Sequence, residues 1–365
     1  MTNSGGKKIA LIHDALCVTG GAERLFYWVC KAFPQADIFT SVYLPEKTFP
    51  EFKSFQIKTL PGSGLIHSER QFKLLFPWWL AMLKRWRFSE YDVVFSSSTY
   101  LAKYIHPATQ VIHRSYLHAP FRFLWKPESY SDDSLPTPPL VTSGLKLGLP
   151  ALRQWDIRET NRINQLATNC QNVAAEIQRI YQKDAVVIHP PVPVDEFSLG
   201  EGTGDYFLSV SRLISHKRVD LAVKACSQLK KRLIVVGDGP ERSNLEKIAG
   251  DTVTFAGKVG EDKLHRLFAG SRALIFPSRE DYGIAPLEAQ ACGRPVIAFG
   301  QGGVLETVVP GKTGLLFADQ TVDSLTGTLQ EFEQQSFDAV EIRGWARQFD
   351  MPTFNDQIQQ FVTGN

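Results

Sequence analysis

The chain has little cysteine, and none of it is paired. Cys17, Cys30, Cys170, Cys226 and Cys292 lie far apart with no C-x-x-C spacing, which argues against a zinc site, a redox motif or a disulfide framework and fits a reducing cytosol. Neither charge is in surplus: 40 Lys+Arg against 38 Asp+Glu leave +2. No global field therefore holds the protein on nucleic acid by counterion release, and any phosphate binding must be local. No D-x-D pair occurs, so the compact acidic motif that holds a metal-bound diphosphate is missing; no metal and no cofactor are expected. The apolar run at 74–83 (LLFPWWLAML) is ten residues, about half of what a spanning helix needs. The N-terminal apolar run ends at Asp14, too short for a signal-peptide core, so a cytoplasmic location is expected.

What is present is enough apolar residue for two full cores: 365 residues, 43% hydrophobic, at roughly 100 to 200 residues per domain. Short apolar runs at 8–13, 92–96, 110–113 and 185–188 predict strands, with helix-like segments such as 157–182 between them. Residues 127–150, dense in Pro, Ser and Asp without a period, predict a loop near an acceptor. After the Pro- and Gly-rich stretch 189–205, strands are predicted at 206–210, 232–236, 253–256, 273–277, 295–299 and 314–317. The pattern is α/β throughout: two Rossmann-like doubly wound domains, 1–193 and 194–346. Such sheets bind ligands outside the carboxyl ends of their strands, and two of them imply a cleft.

Segment 70–87 is unusual in carrying Arg70, Lys73, Lys84, Arg85 and Arg87 with no acid, beside Trp78, Trp79 and Trp86. That composition suits an interfacial helix on an anionic lipid surface. A core helix with a basic outer face is the other reading, and Pro77 argues against one continuous helix.

Several positions carry chemistry. Gly20 and Gly21 sit between a strand and an amphipathic helix, where backbone amides can approach an anion, although a tight turn explains them equally well. Arg212 and Lys217 follow a strand and could clamp a diphosphate, as a planar fork and a point charge; a solvated helix start is the alternative. The sharpest signal runs from Glu280 to Glu288. Here Gly283 permits a closely approaching backbone and Pro286 suits a first helical turn. Two carboxylates that far apart can grip two vicinal diols, unless Glu288 merely complements the helix dipole. Gly300–Gly303 is a further glycine loop at a strand end, or only a turn. His118 stands just past a predicted strand, where a satisfied core histidine is the alternative.

Together these residues resemble glycosyltransferase family 4, retaining enzymes with the GT-B fold of two facing Rossmann-like domains. Glu280 to Glu288 fits the family's E-x7-E motif, supported by SRLISHKRVDLAV, VVGDGPE, FAGKVGEDKL and ACGRPVIAFGQGGVLETV. The segments HAPFRFLW and EDYGIAPLEAQA look most like bacterial O-antigen and exopolysaccharide transferases. The resemblance implies that Arg212 and Lys217 bind the donor diphosphate, Glu288 the ribose, and the backbone of Gly283, Ile284, Ala285 and Leu287 the phosphate and sugar. It implies Glu280 on the donor sugar hydroxyls, His118 near the reacting carbon, Gly20 and Gly21 by the diphosphate, Val259 by the base, and a C-terminal helix within 347–365 packing back on the first domain. Tyr282 and Ser211 stand where the family has Phe and Gly. The implied activity is metal-independent, retaining transfer of a hexosyl group from UDP-glucose or GDP-mannose to a lipid-linked or oligosaccharide acceptor in polysaccharide biosynthesis, on the inner face of the cytoplasmic membrane. A nucleotide-sugar epimerase and a non-catalytic nucleotide-sugar-binding subunit are the rival readings.

Overall fold

Short apolar runs joined by amphipathic helices bury both faces of a parallel sheet only when helices cover each side. The computed structural model describes residues 6–126 and 139–364, excluding the side chains of Arg70 and 139–147, and contains two such sheets in two units. The first unit runs to His189 and takes back the chain from Asn355; the second is Pro190–Phe354.

In the first unit, β1 (Ile9–His13), β2 (Asp37–Thr40), β3 (Ile57–Thr59), β4 (Val93–Ser98), β5 (Ile112–Leu117), β6 (Gln165–Thr168) and β7 (Ala185–Val187) are all parallel, in the order β3-β2-β1-β4-β5-β6-β7. The second holds β8 (Phe207–Val210), β9 (Leu233–Val236), β10 (Val253–Gly257), β11 (Ala273–Phe276), β12 (Val296–Phe299) and β13 (Gly314–Phe317) in the order β10-β9-β8-β11-β12-β13. Strand order reverses between β1 and β4 and between β8 and β11. The flanking loops diverge there, and those are the points where open α/β sheets take ligands.

Three strands differ from expectation. β2 and β3 are too short and mixed to show a period. β6 falls inside the stretch 157–182 read as helical, and its pairing to both β5 and β7 overrides local propensity. The loop expected over 127–150 is also corrected. Residues 127–138 lie outside the described residues, but a 23-residue helix, Pro139–Asn161, begins where the loop was expected to continue and carries Pro150 inside it. The division between units falls at 189/190 rather than 193/194, and the C-terminal helix is Met351–Thr363. Within the first unit the end of this helix is held by Gln359 Nε2 donating to Ala32 O at 3.1 Å and Lys7 Nζ donating to Thr363 O at 2.6 Å.

The tryptophan segment forms two short helices, Glu69–Leu74 and Phe76–Leu83, that meet at Leu75. Phe72, Trp79, Met82 and Leu83 enter the core of the first unit, and Trp79 Nε1 donates to Phe72 O at 3.0 Å. Trp86 packs on Phe39 and Phe88. Lys73 is paired to Glu69 at 2.6 Å and Lys84 to Glu159 at 3.4 Å. Trp78, Leu74, Leu75 and Leu65 stay exposed, at 51%, 58%, 45% and 79%. Among the described residues no helix is long and apolar enough to cross a membrane.

A buried ion pair locks the helix Pro139–Asn161 in place. Lys103 Nζ lies 2.6 Å from Asp156 Oδ1 and also donates to Thr160 Oγ1 and Tyr181 OH, both at 3.1 Å. Asp156 further accepts from Tyr104, Trp125 and Tyr181. Burial opposes its charge, but Lys103 and these donors outweigh that and hold the carboxyl below its ordinary range. Asp156→Ala would strand the lysine in the core, and we expect it to cost about 3–5 kcal/mol by urea unfolding. A second buried group, His113, donates from Nε2 to Ser96 Oγ at 2.9 Å, since the Ser96 hydrogen is committed to Ser115 Oγ. Burial pushes its imidazole down to about 3. The unfolded chain takes up that proton below about pH 6.5 and the native state does not. Stability should therefore fall by about 2 kcal/mol from pH 6.5 to 5 through this group alone, a loss that unfolding curves of His113→Gln should lack.

Candidate active site

The second unit gathers its predicted residues at the β8/β11 reversal. Arg212 is exposed just past β8, and Lys217 closes the following turn, Ser215–Lys217. Glu280 follows β11. Lys217 Nζ meets Glu280 Oε1 at 2.6 Å, and Ser278 Oγ donates to the same oxygen at 2.8 Å. Both groups are about one-fifth exposed. The second carboxylate oxygen, Oε2, has no hydrogen bond to the described residues.

The glycine loop after β12 props Glu280 from behind. Glu280 and Gly302 form a parallel bridge, and the Gly303 amide donates to Glu280 O at 3.0 Å. Gly302 has φ +84°, and a Cβ there would stand 2.1 Å from the Glu280 carbonyl oxygen, so no other residue fits. This loop is more than a turn, which its sequence left open.

Gly283, at φ +83° and packed on the Phe276 ring, turns the chain into the helix Ala285–Ala291. The Tyr282 side chain is buried behind it, its hydroxyl donating to Pro190 O at 3.1 Å. The amides of Gly283, Ile284 and Ala285 have no hydrogen bond to the described residues. Leu287 differs from expectation. Its amide is spent on Ile284 O at 2.9 Å and its side chain is wholly buried, because by this point the helix has closed its first turn. Its neighbours 283–285 present the open donors instead. Glu288, also bonded through its amide to Ile284 O, keeps a half-buried side chain in that turn. Val259 lies in the turn between β10 and the helix Glu261–Gly270, at the same sheet end but two strands from β8.

The first unit builds a separate polar group at the β1/β4 reversal. His118, just past β5, anchors its amide to Ser98 O at 3.0 Å and receives Asn169 Nδ2 on its carbonyl at 3.1 Å. Its Nε2 lies 2.9 Å from Ser97 Oγ, which lies 3.1 Å from His13 Nδ1. His13 Nε2 faces Glu23 Oε1 at 3.7 Å. Burial, then the nearby His13, push the His118 imidazole down to about 3, so it is neutral near pH 7. Asp14, 2% exposed, accepts from Ser98 Oγ and from the amides of Thr99, Tyr100, Leu101 and Ala102, which fixes the loop leaving β4. Gly20 precedes the helix Gly21–Ala32, and the amides of Gly20, Gly21 and Ala22 have no hydrogen bond to the described residues. A Cβ on Gly20 would sit 2.7 Å from Glu23 Oε2, so the glycine leaves room for that carboxylate.

His13, Asp14, Glu23 and Ser97 escaped the sequence reading. Their signal was present: β1 ends in His-Asp and β4 in a run of serines, polar residues closing apolar strands at the sheet end where ligands bind.

The family description for glycosyl transferases group 1 matches residues 193–347. The glycogen synthase of Pseudomonas aeruginosa is 38% identical over 141 residues, 36% of this chain and 27% of that protein. The GDP-mannose-dependent alpha-(1-6)-phosphatidylinositol monomannoside mannosyltransferase of Mycolicibacterium smegmatis is 33% identical over 145 residues, 35% of this chain and 38% of that protein. The chain thus spans about a quarter to two fifths of the length of these curated relatives. Among solved structures, Anabaena HepE in complex with UDP and glucose matches with a TM-score of 0.72 at 18% identity, over 98% of this chain and 100% of that one. Sucrose-phosphate synthase from Thermosynechococcus elongatus matches at 0.73 and 17%, over 97% and 98%. At these identities the likeness is one of fold. Residues 193–347 thus carry a glycosyl transferases group 1 domain, in a chain whose two parallel-sheet α/β domains match GT-B glycosyltransferase structures.

Proposed function

We propose that the protein is a retaining, metal-independent glycosyltransferase that moves a hexosyl group from UDP-glucose or GDP-mannose to a lipid-linked or oligosaccharide acceptor in polysaccharide biosynthesis. The observation that carries this reading is the Lys217–Glu280 pair at the β8/β11 reversal, beside the open amides of Gly283, Ile284 and Ala285. A cation, a carboxylate and a row of unspent N–H donors within one strand-end constellation match the three parts of a sugar diphosphate. Arg212, Lys217 and the amides take the phosphate oxygens. Glu280 accepts sugar hydroxyls through Oε2, and Glu288 accepts ribose hydroxyls. The relatives' names support the donor class, one of them being a GDP-mannose-dependent mannosyltransferase, as does the UDP and glucose held by a protein of the same fold.

The chemistry follows from charge. As the bond from the anomeric carbon to the diphosphate oxygen breaks, negative charge gathers on the leaving group, where Arg212 and Lys217 stabilise it. The acceptor oxygen bonds to the same face of that carbon, and its proton passes to the departing diphosphate. No protein nucleophile is used, and configuration is retained.

We also place the enzyme on the inner face of the cytoplasmic membrane. The exposed Leu65, Leu74, Leu75 and Trp78 form the apolar element, and Arg85 and Arg87, both exposed, supply charge for an anionic lipid surface. The tryptophans Trp79 and Trp86 serve the core instead.

A melting panel of UDP-glucose, UDP-galactose, UDP-GlcNAc and GDP-mannose without added metal tests the donor site. One donor at 100 times its Kd should stabilise by about 2.7 kcal/mol and be slowly hydrolysed. Glu280→Ala should lower that hydrolysis by about 100-fold, and Lys217→Ala should weaken donor binding by about 10- to 100-fold. Silence from all four donors would remove the reading, and an isomerised sugar nucleotide without acceptor would replace it with an epimerase. On the membrane side, the protein should co-sediment with phosphatidylglycerol vesicles and not with phosphatidylcholine ones, and Trp78→Ser with Leu74→Ser should abolish this. Equal sedimentation of wild type and the double variant would sink the claim.

A further inference from the structure

Two claims meet on the single charge of Lys217. Its Nζ stands 2.6 Å from Glu280 Oε1, and the two side chains are only 18% and 22% exposed. At that burial the attraction is stronger than between fully solvated groups. A sugar diphosphate asks the same ammonium for its phosphate oxygens. Three N–H donors let Lys217 touch both partners, so hydrogen-bond capacity is not the limit. One positive charge is divided between two anions, and whatever draws it toward the phosphate loosens its hold on Glu280. The reverse holds equally, as in any pair of linked equilibria. Glu280 itself keeps its place when Lys217 turns away. Ser278, 2% exposed, donates to the same Oε1 at 2.8 Å, and the Gly303 amide holds the Glu280 carbonyl at 3.0 Å. The carboxylate then lies near the diphosphate with a weaker counterion, a cost that sugar hydroxyls on Oε2 offset. A nucleoside diphosphate without a sugar has nothing to offset it.

We propose that Glu280, besides accepting sugar hydroxyls, discriminates against the nucleoside diphosphate product by competing for Lys217. The pair yields to a diphosphate that brings a sugar and closes again once the sugar has left, which favours release of the product. The inference rests on the donor-site reading and uses groups of the second unit alone. It fixes a pair of opposite signs. Removing Glu280 weakens the nucleotide sugar and strengthens the nucleoside diphosphate, whereas a carboxylate that only bound sugar would leave the nucleoside diphosphate unchanged.

Titration calorimetry with UDP, GDP and the four nucleotide sugars of the melting panel, without added metal, tests this on wild type, Glu280→Ala, Glu280→Gln, Lys217→Ala and the Lys217→Ala/Glu280→Ala double variant. Glu280→Ala should bind the nucleoside diphosphate of the responding donor about three- to tenfold more tightly than wild type, the coupling of one close charge pair. It should bind the nucleotide sugar itself more weakly. Glu280→Gln, which keeps the size and loses the charge, should show the same two signs. With Lys217 already replaced by alanine, removing Glu280 should change the nucleoside diphosphate affinity by no more than about twofold, because the competition is gone. Unchanged or weaker nucleoside diphosphate binding by both Glu280 variants overturns the proposal. Equal tightening with and without Lys217 also overturns it, since Glu280 would then only repel the diphosphate at a distance. In both of these cases, nucleotide-sugar binding by wild type leaves the donor-site reading standing. Binding of no nucleotide and no nucleotide sugar removes that reading and this inference together.

Discussion

A parallel sheet whose strand order reverses leaves two neighbouring strands whose outgoing loops turn in opposite directions. The carboxyl ends between them are the one part of the sheet edge that helices do not cover. Both sheets of this protein have such a reversal, at β1/β4 and at β8/β11. Asp14, Ser97 and His118 stand on the ends of β1, β4 and β5, while Arg212, Lys217 and Glu280 stand on those of β8 and β11. The crossovers that make each sheet parallel also bring every strand's outgoing loop to the same end. The chemistry depends on that topological constraint before any single side chain.

Within that frame, backbone geometry does the finer placing. Glu280 is held from behind by Gly302 and Gly303, which approach its backbone where no side chain could pass. From the front its Oε1 is held by Lys217 and Ser278. One carboxylate oxygen is thereby committed and the other left open. The three amides at 283–285 remain unspent for a related reason. They lie at the start of a helix, where the first N–H groups have no carbonyl behind them, and by Leu287 the helix has already closed its turn.

Buried polarity is managed in two ways. Around Lys103 and Asp156 a full charge is kept and every lone pair and proton is given a partner, which rigidifies the helix Pro139–Asn161 against its neighbours. Around His113 and His118 the charge is given up, because burial favours the neutral ring. A neutral ring keeps one donor and one acceptor, and for His113 the Ser96 hydroxyl, already committed to Ser115, settles which is which. The first arrangement serves stability, whereas the second leaves His118 with directional hydrogen-bonding capacity.

The sequence by itself determined the α/β class and all six strands of the second unit, because each is a short apolar run between amphipathic segments and that signal is local. It also determined the candidate residues Arg212, Lys217, Glu280 and Glu288, whose spacing across strand, loop and helix start is readable in one dimension. Tertiary structure decided what local signals could not carry. β6 exists because β5 and β7 flank it, and the proline-rich stretch from 139 is helical in spite of its composition. The pairing of Lys217 with Glu280 joins residues 63 positions apart, and the His13–Ser97–His118 chain links strand ends 84 and 21 positions apart. Such partners meet only when strand order is settled, since hydrogen bonds and ion pairs act over a few ångströms in space and have no memory of distance along the chain.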